Sequence, residues 1–159
     1  MKVKRKTYLQ STCGIVTIND YSSFSWVFLL HNKASAIIAL RQFLALVQNQ
    51  FSNMVKSWMS DVGGEYKSDK FLTMLKDIKI NVLQFVPHTP QQNSCAEHFM
   101  HTCMDKAEAM CHQACLPQSW WEFAVEHTVH LYNQTPIKHL EWHIPYKLLY
   151  HSAPDISDF

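Results

Sequence analysis

Between residues 15 and 50 the hydrophobic period of the chain changes from that of a strand to that of a helix, which limits the folds open to it. Ile15-Val16-Thr17-Ile18 is β-branched throughout, and Phe24 to Leu30 is rich in aromatic and branched residues. Both runs suit the pleated, half-buried surface of a sheet. Asn19-Asp20-Tyr21-Ser22-Ser23 between them is a turn-forming cluster, so the pair reads as a hairpin. From about Lys33 to Gln50 the apolar positions Ile37, Leu40, Phe43, Leu44 and Val47 recur at three- and four-residue steps, which sets one helix face against a sheet. Asn32 can cap that helix. Such an opening excludes all-α and all-β folds.

The alternation continues. Met54 to Met59 reads as a strand leading into Asp61, Gly63-Gly64 permits a tight turn, and Ser68 can cap a helix across Phe71, Leu72 and Leu75. Ile80, Val82, Leu83, Phe85 and Val86 make another strand. Pro87 to Asn93, with two prolines and three side-chain amides, reads as a loop. A helix then runs from about Ser94 towards Cys115 and is stopped by Leu116-Pro117. The next occupies about Ser119 to Gln134, with Trp120, Phe123, Ala124, Val129 and Leu131 on its apolar side, and Pro136 ends it. Pro145 suits the first turn of a last short helix, Tyr146 to Tyr150. Strands first and helices alternating later predict an α/β fold, a mixed sheet flanked by helices.

Composition narrows the class without naming a chemistry. At 159 residues, 47% apolar and 17% charged, the chain is sized for one domain with its own core. No apolar run reaches the roughly 18 residues of a membrane span and no secretory signal opens the chain, so the expectation is a soluble intracellular protein with no membrane partner. The net charge of +1 argues neither for nor against a nucleic-acid partner. The five cysteines lack the spacing of a disulfide framework and are expected reduced and mostly buried. His98, His101, Cys111, His112 and Cys115 do not make a zinc site. Thirteen residues of helix separate His98 from Cys111, about 20 Å at 1.5 Å per residue, far beyond the roughly 2 Å reach of zinc ligands. The basic start, Lys2 to Lys6, reads as a solvated arm. Trp120, Trp121, Phe123 and Tyr132 read as core and helix packing, because no Arg or Lys interleaves them as a base-stacking platform requires.

Two acids stand out. Asp61 follows a strand and Glu97 opens a long helical pattern, with thirty-five residues between them. An acid at a strand end and an acid on a helix can meet in space and share divalent cations. Taken alone, the pair reads first as a capping acid and a solvated helix carboxylate.

The segments around these acids carry a resemblance. Asn19-Asp20-Tyr21-Ser22, Ser60-Asp61-Val62-Gly63-Gly64-Glu65-Tyr66, Val86-Pro87-His88-Thr89-Pro90-Gln91-Gln92-Asn93 and Ala96-Glu97 resemble, in order, the integrase catalytic core of copia-type LTR retrotransposons. Leu116-Pro117-Gln118-Ser119-Trp120-Trp121, Ala124-Val125, Tyr132-Asn133-Gln134-Thr135-Pro136 and Pro145-Tyr146-Lys147-Leu148 continue it. Pro154-Asp155-Ile156-Ser157 matches the segment that usually follows the core. The resemblance implies a ribonuclease H-like fold with the catalytic core over residues 1–136 and a post-core segment of the polyprotein over 137–159. It implies a polynucleotidyl transferase that trims element DNA ends and joins them to target DNA. In the family three acids hold two Mg²⁺ or Mn²⁺ ions; by motif position Asp61 is the second and Glu97 the third. Gln91, Gln92, Asn93, His98 and His101 fall where the family approaches DNA. The implied partners are element ends, target DNA and further copies of the chain, and the implied compartment is the nucleus.

The departures from the pattern carry expectations of their own. The family's first acid lies on the first, central strand, upstream of the hairpin, and Met1 falls where that segment ends. The first acid and the first strand are therefore expected to be missing, the core N-terminally truncated and its catalysis impaired. Asp20 belongs to the turn motif and does not replace that acid. After Glu97 the family has Arg-Lys-Asn-Arg, and here stands His98-Phe99-Met100-His101, which removes phosphate contacts and steering. Val62 stands where the family has Asn, Ser23 where it has Arg and Ser94 where it has Gly. Without the first strand two sheet edges would lack partners, which predicts poor solubility for the isolated chain. The alternative reading is a non-catalytic remnant of a domesticated retroelement that binds nucleic acid or protein.

Overall fold

The computed structural model describes residues 13–32, 35–51, 55–60, 69–84, 90–155 and 157. In chain order its elements are β1 (Cys13–Ile18), β2 (Ser25–Leu30), α1 (Ala36–Phe51), β3 (Ser57–Ser60), α2 (Asp69–Asp77), β4 (Asn81–Gln84), α3 (Pro90–Gln113), α4 (Trp121–Gln134) and α5 (Pro145–Tyr150). Two compact units contain them. One holds β1, β2 and the chain from Phe99 onward; the other spans Leu30–His98.

In the first unit β1 and β2 pair, and the short connection makes them a hairpin. Asn19 organises the turn. Its Oδ1 accepts from the Ser22 amide and hydroxyl, both at 2.9 Å, its amide donates to the Phe24 carbonyl at 2.9 Å and its carbonyl accepts from the Ser23 amide at 2.8 Å. On α3, Phe99, Cys103, Ala107 and Cys111 recur every four residues and are all buried, the stripe expected of a helix laid on a sheet. Phe99 and Cys103 pack with Val129, Val16, Ile18, Val27 and Tyr132. Ala107 and Cys111 pack with Trp121, Ala124, Val125 and Leu29. Helix α3 closes in a turn where Cys115 adopts φ 52° and the Leu116 amide donates to the Cys111 carbonyl at 2.9 Å, before Pro117 prevents continuation. Cys103 and Cys111 are buried as expected, whereas Cys115, in that turn, is exposed.

Helix α5 belongs to the same core. Phe24 lies 5.7 Å from the Tyr150 ring and 6.3 Å from Tyr146, which stack on each other at 4.6 Å. Burial, with a smaller contribution from Tyr146, pushes the Tyr150 phenol up from its ordinary pKa. Pro145 occupies the first turn of α5, as its fixed φ suits.

In the second unit β3 and β4 run parallel, with Ser57 opposite Asn81 and Ser60 opposite Gln84. Ala36, Ala39, Leu40 and Phe43 form the buried face of α1, and Phe43 meets Trp58 edge-on at 6.1 Å. Asn32 caps the approach to α1 as expected: its Oδ1 accepts from the Ser35 amide and hydroxyl, each at 3.0 Å. Leu75 of α2 is fully buried.

Several expectations need correction. Among the described residues the strands form two two-stranded sheets and not one mixed sheet; each pairing is closed by its own short hairpin or crossover, and no described strand joins the two. Helix α3 begins at Pro90, so Gln91, Gln92 and Asn93 lie in its first turn and not in a loop. Proline, a loop former by default, is equally at home at a helix start, where its missing N–H costs nothing. The strand expected from Met54 begins at Ser57. In α4 the buried set is Trp121, Glu122, Ala124, Val125, Thr128, Val129 and Asn133, while Trp120 and Phe123 are exposed. Trp120 closes a 3-10 turn, Gln118–Trp120, and so stands before the helix proper.

Candidate functional site

Strand β3 ends at Ser60, the residue before Asp61. Asp61 lies outside the described residues. Glu97 sits in the second turn of α3, preceded by Gln91, Gln92 and Asn93 in the first. The described residues thus give the strand that ends before Asp61 in sequence and the helix that carries Glu97.

The side chains after Glu97 are described. His98 and His101 are exposed. His101 Nδ1 lies 2.9 Å from Asp105 Oδ2, and His112 Nε2 lies 3.9 Å from Glu108 Oε1. Over its whole length α3 carries one lysine, Lys106, against three acids, Glu97, Asp105 and Glu108. Two of its histidines thus face acids on the same helix, and its formal charge is unfavourable for phosphate.

Carboxylate oxygens of Asp61 and Glu97 are the donor type that hard divalent cations take. Among the described residues no group of three or more His, Cys, Asp or Glu gathers to hold a metal. Cys103 does not contribute. Burial, partly offset by Lys106, pushes its thiol up to about 11, and the protonated form is neither a ligand nor a nucleophile.

Sequence reasoning missed the polar clamp that holds the hairpin. Asn133 of α4 is buried; its Oδ1 accepts from the Ser25 amide and its Nδ2 donates to the Ser25 carbonyl, both at 2.8 Å. The available signal was its spacing, because Asn133 continues the four-residue buried series Val125, Val129. A second tie links Ser23, in the left-handed region at φ 53°, through its hydroxyl to His139 Nε2 at 2.9 Å. In the second unit an open cleft of about 860 Å³ lies among Ile37, Arg41, Leu44, Met74 and Ile78.

No family model matches the chain. The chain is 34% identical over 131 residues, 82% of its length, to the retrovirus-related Pol polyprotein from transposon TNT 1-94 of Nicotiana tabacum. This chain is a homologue of retrovirus-related Pol polyproteins. A second relative, from transposon RE1 of Arabidopsis thaliana, is 23% identical over 141 residues, 89% of the chain. The chain spans about a tenth of the length of these relatives. Among solved structures it is similar to a chain of the simian T-cell lymphotropic virus intasome in complex with PP2A regulatory subunit B56 gamma. That match has a TM-score of 0.70 and 15% identity, over 92% of this chain and 52% of that one. It is also similar to the catalytic core domain of BIV integrase, with a TM-score of 0.61 and 19% identity over 87% of this chain and 86% of that one. Its fold is that of integrase catalytic cores, which supports the ribonuclease H-like expectation.

Proposed function

We infer that the chain is the catalytic-core segment of a copia-type retrotransposon integrase, a polynucleotidyl transferase that joins element DNA ends to target DNA. The observation that carries this is the 34% identity across 82% of the chain to a transposon Pol polyprotein, and the likeness of its fold to integrase cores agrees with it. On this reading residues 1–136 are the core and 137–159 the segment behind it, the chain works as a multimer, and its target DNA sets the nucleus as its compartment.

Asp61 and Glu97 are then two of the carboxylates that hold Mg²⁺ or Mn²⁺. When bound, a pair of such ions supplies charge stabilisation to the attacking and leaving oxygens of an in-line phosphoryl displacement. The chain's own part is to fix the two carboxylates, one behind a strand and one on a helix, and to orient DNA. The first turn of α3, with Gln91, Gln92, Asn93 and free backbone N–H groups, suits a phosphate. The resemblance implies a third carboxylate, carried on a strand upstream of the hairpin.

One observation favours weak catalysis or a binding-only remnant. Helix α3 offers one lysine against three acids, and His101 faces Asp105 at 2.9 Å. DNA held at α3 therefore gains little from charge.

Manganese titration followed by water-proton relaxation tests the assignment of the acids. The chain should bind Mn²⁺, and Asp61→Asn and Glu97→Gln should each weaken that binding. Unchanged binding in both variants removes the two residues from the metal site.

A further inference from the structure

The loop between α4 and α5 holds one large apolar side chain in solvent. Trp142 is 67% exposed. It does not dangle. Its amide donates to the Ile137 carbonyl at 3.0 Å, the His143 amide donates to Leu140 at 2.9 Å, the Glu141 amide donates to Lys138 at 3.1 Å, and the Ile137 amide returns to His143 at 3.2 Å. Glu141 and Trp142 both adopt left-handed backbone, at φ 53° and 64°, a region that bulky residues avoid. The fold thus fixes an indole outward on a short, internally bonded loop, in a conformation for which glycine is the ordinary choice.

The charges around it point to a ligand. Lys138, His139, His143, Lys147 and His151 are exposed in the same segment, against Glu141. Among the described residues neither Lys138 nor Lys147 is paired with an acid. The other exposed aromatic pair, Trp120 and Phe123, has exposed Glu126 and no lysine near it in sequence. An exposed aromatic among unpaired cations suits nucleic acid: the ring stacks on a base while the ammonium groups take phosphates. Protein interfaces are, by contrast, depleted of lysine. A base inside a duplex has both faces occupied, so the face of Trp142 suits an unpaired base.

We propose that Trp142 is a base-stacking site for unpaired nucleic acid, with Lys138 and Lys147 taking the adjoining phosphates. The site uses neither Asp61 nor Glu97, so it stands or falls independently of the metal reading.

The test measures fluorescence anisotropy of a labelled oligothymidylate, and of the matching duplex, with the full chain. The single strand should bind more tightly. Trp142→Ala should weaken single-strand binding about tenfold, while Trp142→Phe retains most of it. Trp142→Gly should lose the affinity and yet melt no lower than the parent, because glycine relieves the left-handed strain; a purely structural tryptophan would give a lower melting temperature. The double variant Lys138→Gln, Lys147→Gln should reduce the salt slope of binding by about 1.4. Unchanged single-strand affinity in Trp142→Ala, or an equal loss on single strand and duplex, overturns the proposal.

Discussion

Truncating Asn133 to alanine tests the packing of α4 on the hairpin at a single residue. Ser25 is 1% exposed and Asn133 6%, and both main-chain polar groups of Ser25 depend on the Asn133 amide, each at 2.8 Å. Asn133→Ala leaves a buried donor and a buried acceptor without partners at the first residue of β2. Each such loss costs about 1–3 kcal/mol, and water admitted to the vacated space recovers part of it, so the expected destabilisation is about 2–4 kcal/mol. For a chain of this size that lowers the melting temperature by roughly 5–15 °C. Thermal and urea unfolding of both proteins, followed by circular dichroism, provide the measurement. A loss below about 0.5 kcal/mol would mean that solvent already satisfies Ser25 and that the clamp contributes nothing.

Four further outcomes follow from the packing. With its thiol pushed up to about 11 by burial, Cys103 should resist alkylation at neutral pH while exposed Cys115 reacts, which mass spectrometry of timed labelling reads directly. Because the folded value lies above the ordinary 9.0, the stability Cys103 contributes is fully present below about pH 9 and is lost as pH rises through 11. Cys103→Val should flatten that part of the profile. Removing the chain after Pro136 takes away Tyr146 and Tyr150 and uncovers Phe24, so the shortened protein should melt lower and bind a hydrophobic dye. Leu75→Ala, at a fully buried site, should cost about 2–5 kcal/mol; a smaller loss would show that α2 packs loosely.

Much of this architecture was readable from local chemistry. The β-branched run before Asn19, the three- and four-residue steps of α1, the cap at Asn32 and the proline that starts α5 each act through neighbours in sequence, and the structure shows all four. Where two local rules compete, sequence reading failed. Pro90 with three amides obeys both loop and helix-start chemistry, and only the structure shows the helix. On α4 the expected Ala124 and Val129 are buried, whereas Trp120 and Phe123 are exposed and Trp121 takes the buried place; residue type alone does not say which of the adjacent aromatics faces the core. The candidate site was legible as motifs, because Asp61 and Glu97 stand within ordered segments. Motif order does not give their geometry, since whether a strand end and a helix meet depends on pairing between strands far apart in the chain. The exposure of Trp142 also escaped, because nothing in Leu140-Glu141-Trp142-His143 signals a left-handed turn.

The central claim is that this chain is the core of a DNA-joining enzyme built on Asp61 and Glu97. Its most direct measurement is Mg²⁺- or Mn²⁺-dependent joining of a labelled element-end oligonucleotide to target DNA. The protein assayed should be this chain fused behind a strand that carries a third carboxylate, as the resemblance to integrase cores implies. The account predicts joined products that vanish in Asp61→Asn and in Glu97→Gln. Joining that survives both substitutions, or no joining with the strand in place and the protein folded, would contradict it.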